Sequence, residues 1–443
     1  MQKELVYQKP VTTKNVLRFA VPTIVMTVFM SFYTMVDGLF VSNLIGTQAL
    51  SAINLAMPII SLVTAVSTML ATGGSAVIMR KMGAGRQQEA HEDFTCLILV
   101  NILVGVVMCG LGYVLLDGLL HILAVSAEVQ QYCQIYLRCY LLFTVPILLM
   151  DNFMLYMIAA DMAMLSLVCS VAGGVLNIVL DYVFIALLHW GIAGAAIATG
   201  LGYMVTALVG TVVFFQKKNL LHFRRPVLRW RVLCSAVTNG CSELATSLVT
   251  GIVTLLFNWT MLHYVGEDGV AAITIIMYVL MFTSSLYMGY AYGVAPMISF
   301  YYGAQNHQKL HQLIDLSMKL IAVVSVATVA VSLLITKPLV GVFASPENPV
   351  YALAVTGNRF CSLALLFIGW NIFISGMFTA LSNGLVSAVL AFSRSFVFMV
   401  ITMIALPLVL GITGIWLATP AAEAMALALS AVTFLRYQKQ YQY

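Results

Sequence analysis

An all-helical protein that crosses a membrane twelve times, built as two six-helix units in tandem, is the fold class this sequence predicts. Three observations carry the prediction. Of 443 residues 62% are hydrophobic and only 8% charged, with a mean hydropathy of +1.00. A soluble domain averages about 25% charged residues, so lipid is the main solvent of this chain. The hydrophobic runs are long enough, at about 20 residues each, to be counted as spans. And the chain matches itself at one constant offset. Gly46 and Ala52-Ile53 fall on Gly266 and Ala272-Ile273, Gly83-Ala84 and Gln88 on Gly303-Ala304 and Gln308, and Gly191-Ile192-x-Gly194 with Ala198-Thr199 on Gly411-Ile412-x-Gly414 with Ala418-Thr419.

The runs lie near 15–42, 51–78, 94–116, 133–158, 163–188, 191–215, 233–260, 270–298, 313–335, 351–380, 385–407 and 411–435. Six per repeat is an even number, so both units enter the membrane in the same sense, with a pseudo-twofold axis along its normal and a cavity between them. The expected division is an N-terminal lobe over 1–215, a crossover linker over 216–232 and a C-terminal lobe over 233–443. The linker mixes Lys217, Lys218, Arg224, Arg225, Arg229 and Arg231 with Leu, Phe, Val and Trp, the composition of an interfacial crossover.

Basic residues sit where topology puts them. Lys3, Lys9, Lys14 and Arg18 precede the first run, Arg80, Lys81 and Arg86 follow the second, the linker cluster follows the sixth, and Arg436 and Lys439 follow the last. The positive-inside rule therefore places both termini in the cytoplasm of a multi-pass inner-membrane protein. The first run has no small-residue cleavage pattern and reads as a retained helix. The eight cysteines sit almost entirely inside the runs, without a CxxC, and act there as small hydrophobes. No GxxxxGK[ST], HExxH or GxSxG occurs. ATP-driven pumping and enzymatic chemistry are thus disfavoured, no cofactor is expected, and the net charge of +5 is explained by topology without nucleic acid.

Charges inside the runs are the candidate functional residues. Asn177 and Asp181 are four apart and share a helix face. Counted at 1.5 Å per residue, Asp37 lies about 9 Å from the outer membrane surface, and Asp181 and Thr199 about 12 Å. Carboxylate, amide and hydroxyl oxygens suit a hard cation such as Na⁺, and neighbouring carboxylates can equally share a proton. Asp37, Asn177, Asp181 and Thr199 are therefore the expected cation-coupling site, and the metal site if the ion is Na⁺. A structural hydrogen bond between helices is the alternative for each carboxylate. The second unit carries Glu243, Arg394 and Glu423, each roughly 14–18 Å deep. An unpaired Arg at that depth is so costly that Arg394 must bond Glu423 or Glu243, and pairing with Glu423 leaves Glu243 to face the cavity. Tyr33, Met277, Tyr278, Met281 and Tyr287 are candidate cavity residues, because Met and aromatic side chains repack around varied organic cations. Asp151 and Asp161 are expected near span ends, in water.

Val36-Asp37-Gly-Leu-Phe-Val41 with Gly46, Gly83-Ala84-Gly85, Asn177-x-x-Leu-Asp181-x-x-Phe, Gly191-Ile-Ala-Gly194-Ala, and Gly414-Ile-Trp416-x-Ala-x-Pro420-x-Ala-Glu423 resemble the multidrug and toxic compound extrusion (MATE) family over nearly the whole chain, most of all its DinF-like bacterial branch. The resemblance implies an antiporter of two six-helix lobes that expels organic, often cationic, compounds from a central cleft against entering Na⁺ or H⁺. It implies a cation site at Asp37, Asn177, Asp181 and Thr199, and a bend of the first helix at Pro22. A flippase for lipids or lipid-linked sugars, from the same superfamily, is the alternative. Ala159-Ala160-Asp161-Met162-Ala163 departs from the family's Gly-Asn/Asp-x-Pro pattern, so a shortened loop is expected there, and Glu243 is not universal in the family. The expected partners are a small organic substrate and membrane lipid, with the chain acting as a monomer.

Overall fold

The computed structural model describes residues 6–45, 47–122 and 127–443; the side chains of 35, 37–44, 47, 48, 50, 51, 119, 121, 122, 127 and 128 lie outside that description. Every regular element among the described residues is helical: α1 (Thr13–Leu44), α2 (Thr47–Gly83), α3 (Gln87–Ile122), α4 (Ala127–Leu142), α5 (Thr144–Ala159), α6 (Ala163–Asp181), α7 (Gly191–Phe214), α8 (Trp230–Tyr264), α9 (Glu267–Gly303), α10 (His307–Gly341), α11 (Pro349–Cys361), α12 (Leu365–Ala380), α13 (Gly384–Phe392), α14 (Met399–Leu410) and α15 (Ile412–Tyr441). Eleven helical segments are long and apolar enough to cross a membrane, and the bent pair α4–α5 makes the twelfth span. That pair turns by 54°. Pro146 sits in the first turn of α5, where it has no N–H to give the Leu142 carbonyl of α4, while the Thr144 hydroxyl donates to the Leu141 carbonyl at 2.7 Å. Such a break is tolerated at membrane depth because neighbouring helices cover it.

The repeat reads out in backbone geometry. Gly85 and Gln305 both take positive φ, as do Gly191 and Gly411, each pair 220 residues apart. Close helix crossings repeat in the same way. A methyl group on Gly73 of α2 would strike the Ala236 carbonyl of α8, and one on Gly240 would strike the Met69 carbonyl. Their counterparts at the same offset, Gly293 and Ala20, meet where α9 crosses α1, with a Cβ on Gly293 falling 3.0 Å from the Ala20 Cα. Gly83 and Gly303, again 220 apart, face the Phe300 and Arg80 carbonyls. Twelve spans in two six-helix lobes with a parallel pseudo-twofold axis are therefore the architecture.

All these crossings lie toward the end that carries the chain termini. There the N-terminal arm straps the lobes together: the Tyr7 hydroxyl donates to the Ala159 carbonyl at 2.6 Å, the Tyr7 ring stacks on Phe300 with centroids 4.7 Å apart, and Lys309 Nζ donates to the Gln8 and Lys9 carbonyls at 3.1 Å each. Farther along, Thr27 Oγ1 of α1 donates to the Ser285 carbonyl of α9 at 2.8 Å. Beyond that bond α1 packs on α6, with a Cβ on Gly174 falling 2.8 Å from Phe29, and α9 packs on α11, with one on Gly357 falling 2.6 Å from Ile276. The molecule is sealed at its terminal end.

Residues 216–229 carry no helix. They are pinned to the start of α3 by Arg229, which meets Glu92 at 2.5 Å and Asp93 at 2.7 Å, by the Arg224 amide donating to Thr95 Oγ1 at 2.9 Å, and by Phe223 stacked on Phe94 at 5.2 Å. The turn from α5 to α6 takes only residues 160–162, with Asp161 at φ 60°. Asp151 corrects an expectation. It lies in the middle of α5 and is 8% exposed, because α5 is packed against α2, α3 and α7.

Candidate functional site

Two polar sites occupy the membrane interior. The first is in the N-terminal lobe. Asn177 and Asp181 are fully buried, and Thr199 is 7% exposed. Asn177 Nδ2 donates to Thr199 Oγ1 at 3.3 Å, while the Thr199 hydroxyl donates back to the Ala195 carbonyl at 3.0 Å. α6 and α7 approach closely enough for this because Gly173 and Gly202 face each other, and a Cβ on either would fall 2.6–2.8 Å from the other's carbonyl oxygen. Asn177 Oδ1 is a buried acceptor with no donor among the described residues. An amide oxygen one turn from a buried carboxylate offers the oxygen donors that a hard cation prefers. At Asp181 the α-helix gives way to a π turn over Tyr182–Leu187, a rare local geometry that often marks functional positions. Asp37 is on α1, but its side chain lies outside the described residues, and so does any contact it makes with Asp181. Tyr33, one turn before it, is 5% exposed; it lines a cavity of about 10 Å³ with Ser170, Gly174 and Tyr203.

The second site is a cavity of about 350 Å³ lined mainly by α8, α9, α12 and α15, with Thr72, Ser75 and Ala76 of α2 and Leu155 of α5 reaching it from the other lobe. Glu243, Arg394 and Glu423 all line it. Arg394 Nε donates to Glu423 Oε1 at 2.8 Å and Oε2 at 3.0 Å. Asn371 Nδ2 donates to Glu423 Oε2 at 2.7 Å and is itself held by Ser430 at 3.0 Å. Arg394 sits in the second π turn, Ser393–Phe398. Glu243, by contrast, has one hydrogen bond among the described residues, a long one of 3.4 Å from the Tyr292 hydroxyl. One carboxylate is locked, and the other faces the cavity.

Arg394→Met should destabilise the protein by about 3–5 kcal/mol, since it strands a buried carboxylate, and Arg394→Met with Glu423→Leu should recover most of that loss. Thermal unfolding in detergent checks both. A double variant no better than the single one would show that the pair does more than neutralise itself.

The geometry sorts the aromatic and methionine candidates by helix face. Met277 lines the cavity with Leu280, Ser284 and Met288, which share its stripe of α9. Tyr278 and Met281 are rotated off that stripe: both are 40% exposed, and Tyr278 stacks on Phe343 at 6.2 Å. Tyr287 is buried, and its hydroxyl pairs with Thr328 of α10 at 2.7 Å. None of these three lines the cavity. Sequence reasoning missed Asn371 and the ladder Ser242, Thr246, Thr250 and Thr254 on α8, although the spacing of four was legible. Each of the three threonines donates to the carbonyl four residues back at 2.9 Å, so its remaining lone pairs can only accept.

Two buried polar sites in a two-lobed, twelve-span bundle that is sealed at one end define a membrane transporter by architecture. The chain belongs to the MatE family, whose profile matches residues 22–183 and 244–404, one segment in each lobe. It is similar to the multidrug export protein MepA of Staphylococcus saprophyticus, 22% identical over 437 residues that cover 97% of this chain and 95% of that one. Its fold is that of a MATE protein crystallised in the straight conformation, with a TM-score of 0.92, 22% identity, and 100% of both chains covered. It also matches an outward-facing multidrug resistance MATE transporter of the MOP superfamily, with a TM-score of 0.90, 23% identity and 96% of each chain covered.

Proposed function

We propose that this protein is a cation-coupled antiporter that exports organic compounds, cationic ones above all, by alternating access. The observation that carries this reading is the electrostatic character of the 350 Å³ cavity. Its one arginine is neutralised by Glu423, its hydroxyl ladder presents acceptors, and Glu243 is held by a single long bond. A wall of acceptors with one available carboxylate favours a cationic or N–H-bearing ligand. The same wall has no bare cation for a pyrophosphate among the described residues, which disfavours the flippase reading. The multidrug names of a relative and of a structural neighbour point the same way.

The lobes divide at 1–215 and 233–443, with 216–232 between them, and both termini are cytoplasmic, so the sealed end faces the cytoplasm and the other end faces outward. Na⁺ or H⁺ occupies Asp37, Asn177, Asp181 and Thr199. Its occupancy biases α1, here one unbroken helix over Thr13–Leu44 with Pro22 inside, toward a bend at that proline. Exchange follows only if ion and substrate favour different conformers. The chain acts as a monomer, since the residues assigned to each site all belong to one chain. Ethidium efflux from everted vesicles under an imposed Na⁺ or H⁺ gradient tests the reading, and efflux indifferent to both gradients would end it. Glu243→Gln should raise the concentration of organic cation needed for half-maximal efflux about tenfold, the loss of one charged hydrogen-bonding partner, and leave neutral substrates unaffected.

A further inference from the structure

At the sealed end a second kind of site opens on the seam between the lobes. A basin of about 490 Å³ is lined by Arg80, Lys81 and Arg86 from the end of α2, and by Arg229, Trp230 and Arg231 at the start of α8. Three of the five cations have carboxylate partners. Lys81 is bonded to Asp93, and to Glu89 at 3.0 Å; Arg229 takes Glu92 and Asp93; Arg86 lies 3.7 Å from Glu89. Arg80 and Arg231 have no carboxylate within ion-pair distance among the described residues. Arg80 ends α2 of the N-terminal lobe, and Arg231 stands in the first turn of α8, whose later turns belong to the C-terminal lobe. Trp230 is 70% exposed and Leu228 60% exposed beside them, at the point where α8 enters its apolar run. Exposed tryptophan at a span end marks the headgroup level of a bilayer, and basic pockets between spans at that level suit anionic headgroups.

We propose that this basin binds the phosphate of an anionic phospholipid, with Arg80 of one lobe and Arg231 of the other as its ligands. The lipid then bridges α2 and α8 only while they are seated on each other, and so favours the arrangement seen here. Exposed Trp230 lies against the acyl chains, which a soluble phosphate lacks. The inference stands on the basin alone and does not require the transport reading.

Titration of the detergent-solubilised full chain with brominated phosphatidylglycerol, beside brominated phosphatidylcholine, reads binding as quenching of Trp230; the Trp230→Phe chain supplies the background of the other tryptophans. Phosphatidylglycerol should quench at lower concentration than phosphatidylcholine. Arg80→Gln and Arg231→Gln should each weaken that preference about fivefold and the double variant about thirtyfold, from the attraction an anionic surface exerts on each basic side chain. In the unmodified chain, high salt should remove the preference without any substitution, as screening requires. An unchanged preference in the double variant, or one insensitive to salt, overturns the proposal. Dependence on Arg231 alone overturns the bridge between lobes. Full displacement of the lipid by millimolar inorganic phosphate assigns the basin to a soluble anion and overturns the lipid.

Discussion

Asp181→Asn is expected to reduce gradient-driven ethidium efflux in proteoliposomes to the rate of protein-free vesicles, under whichever ion drives the unmodified chain. The substitution keeps the shape of a side chain that is fully buried, so packing changes little. It removes the charge beside Asn177 Oδ1, a buried acceptor with no donor among the described residues. On the proposed reading a cation held between the two oxygens would offset their mutual repulsion and the cost of burying them, and without the carboxylate the site would have neither charge nor a proton to exchange. Ethidium binding to the solubilised protein should survive, because the cavity lined by Glu243 is separate from this site. Thr199→Val should give a partial loss, since it removes one neutral oxygen and the 3.3 Å partner of Asn177 Nδ2 but leaves the carboxylates. Coupled efflux at full rate in Asp181→Asn would remove the N-terminal lobe from the mechanism.

Gly240→Leu should abolish transport altogether, for a steric reason far from either polar site. Any side chain there collides with the Met69 carbonyl of α2, a backbone atom that cannot turn aside. The lobes then cannot seat at their terminal ends, at a cost of about 1–3 kcal/mol or more for overpacking. Gly251→Leu on the same helix is the matched control. A Cβ at Gly251 meets nothing within 4 Å, and a leucine facing lipid should leave efflux and thermal stability unchanged. Equal activity of the two variants would mean that the α2–α8 crossing is not the seal.

How far the sequence reached can be judged residue by residue. The offset of 220 paired Gly83 with Gly303 and Gly191 with Gly411; the structure makes the first pair close crossings and the second matched turns, because a backbone that must approach a carbonyl or take positive φ restricts the residue type at both copies. The pairing of Arg394 followed from the cost of a bare guanidinium in lipid, though the choice of Glu423 over Glu243 depended on Asn371, which completes the carboxylate's bonds from another helix. Residue type did not place Tyr278, Met281 and Tyr287. α9 is hydrophobic all round, so composition does not tell the face toward the cavity from the faces toward lipid and α10. Asp151 was expected in water near a span end, and position along a span does not show that α5 is enclosed by α2, α3 and α7, which bury it.

Alone, the sequence determined the number of spans, the twofold repeat and which side chains are too polar for lipid, since each follows from transfer energies summed along the chain. Only the tertiary structure decided which end is sealed, that Glu243 and not Glu423 faces the cavity without an ion-pair partner, and that Arg80 and Arg231 line one basin at the seam. Those are relations between residues of different helices, and they depend on the distance and rotation at which the helices pack, which no single helix encodes.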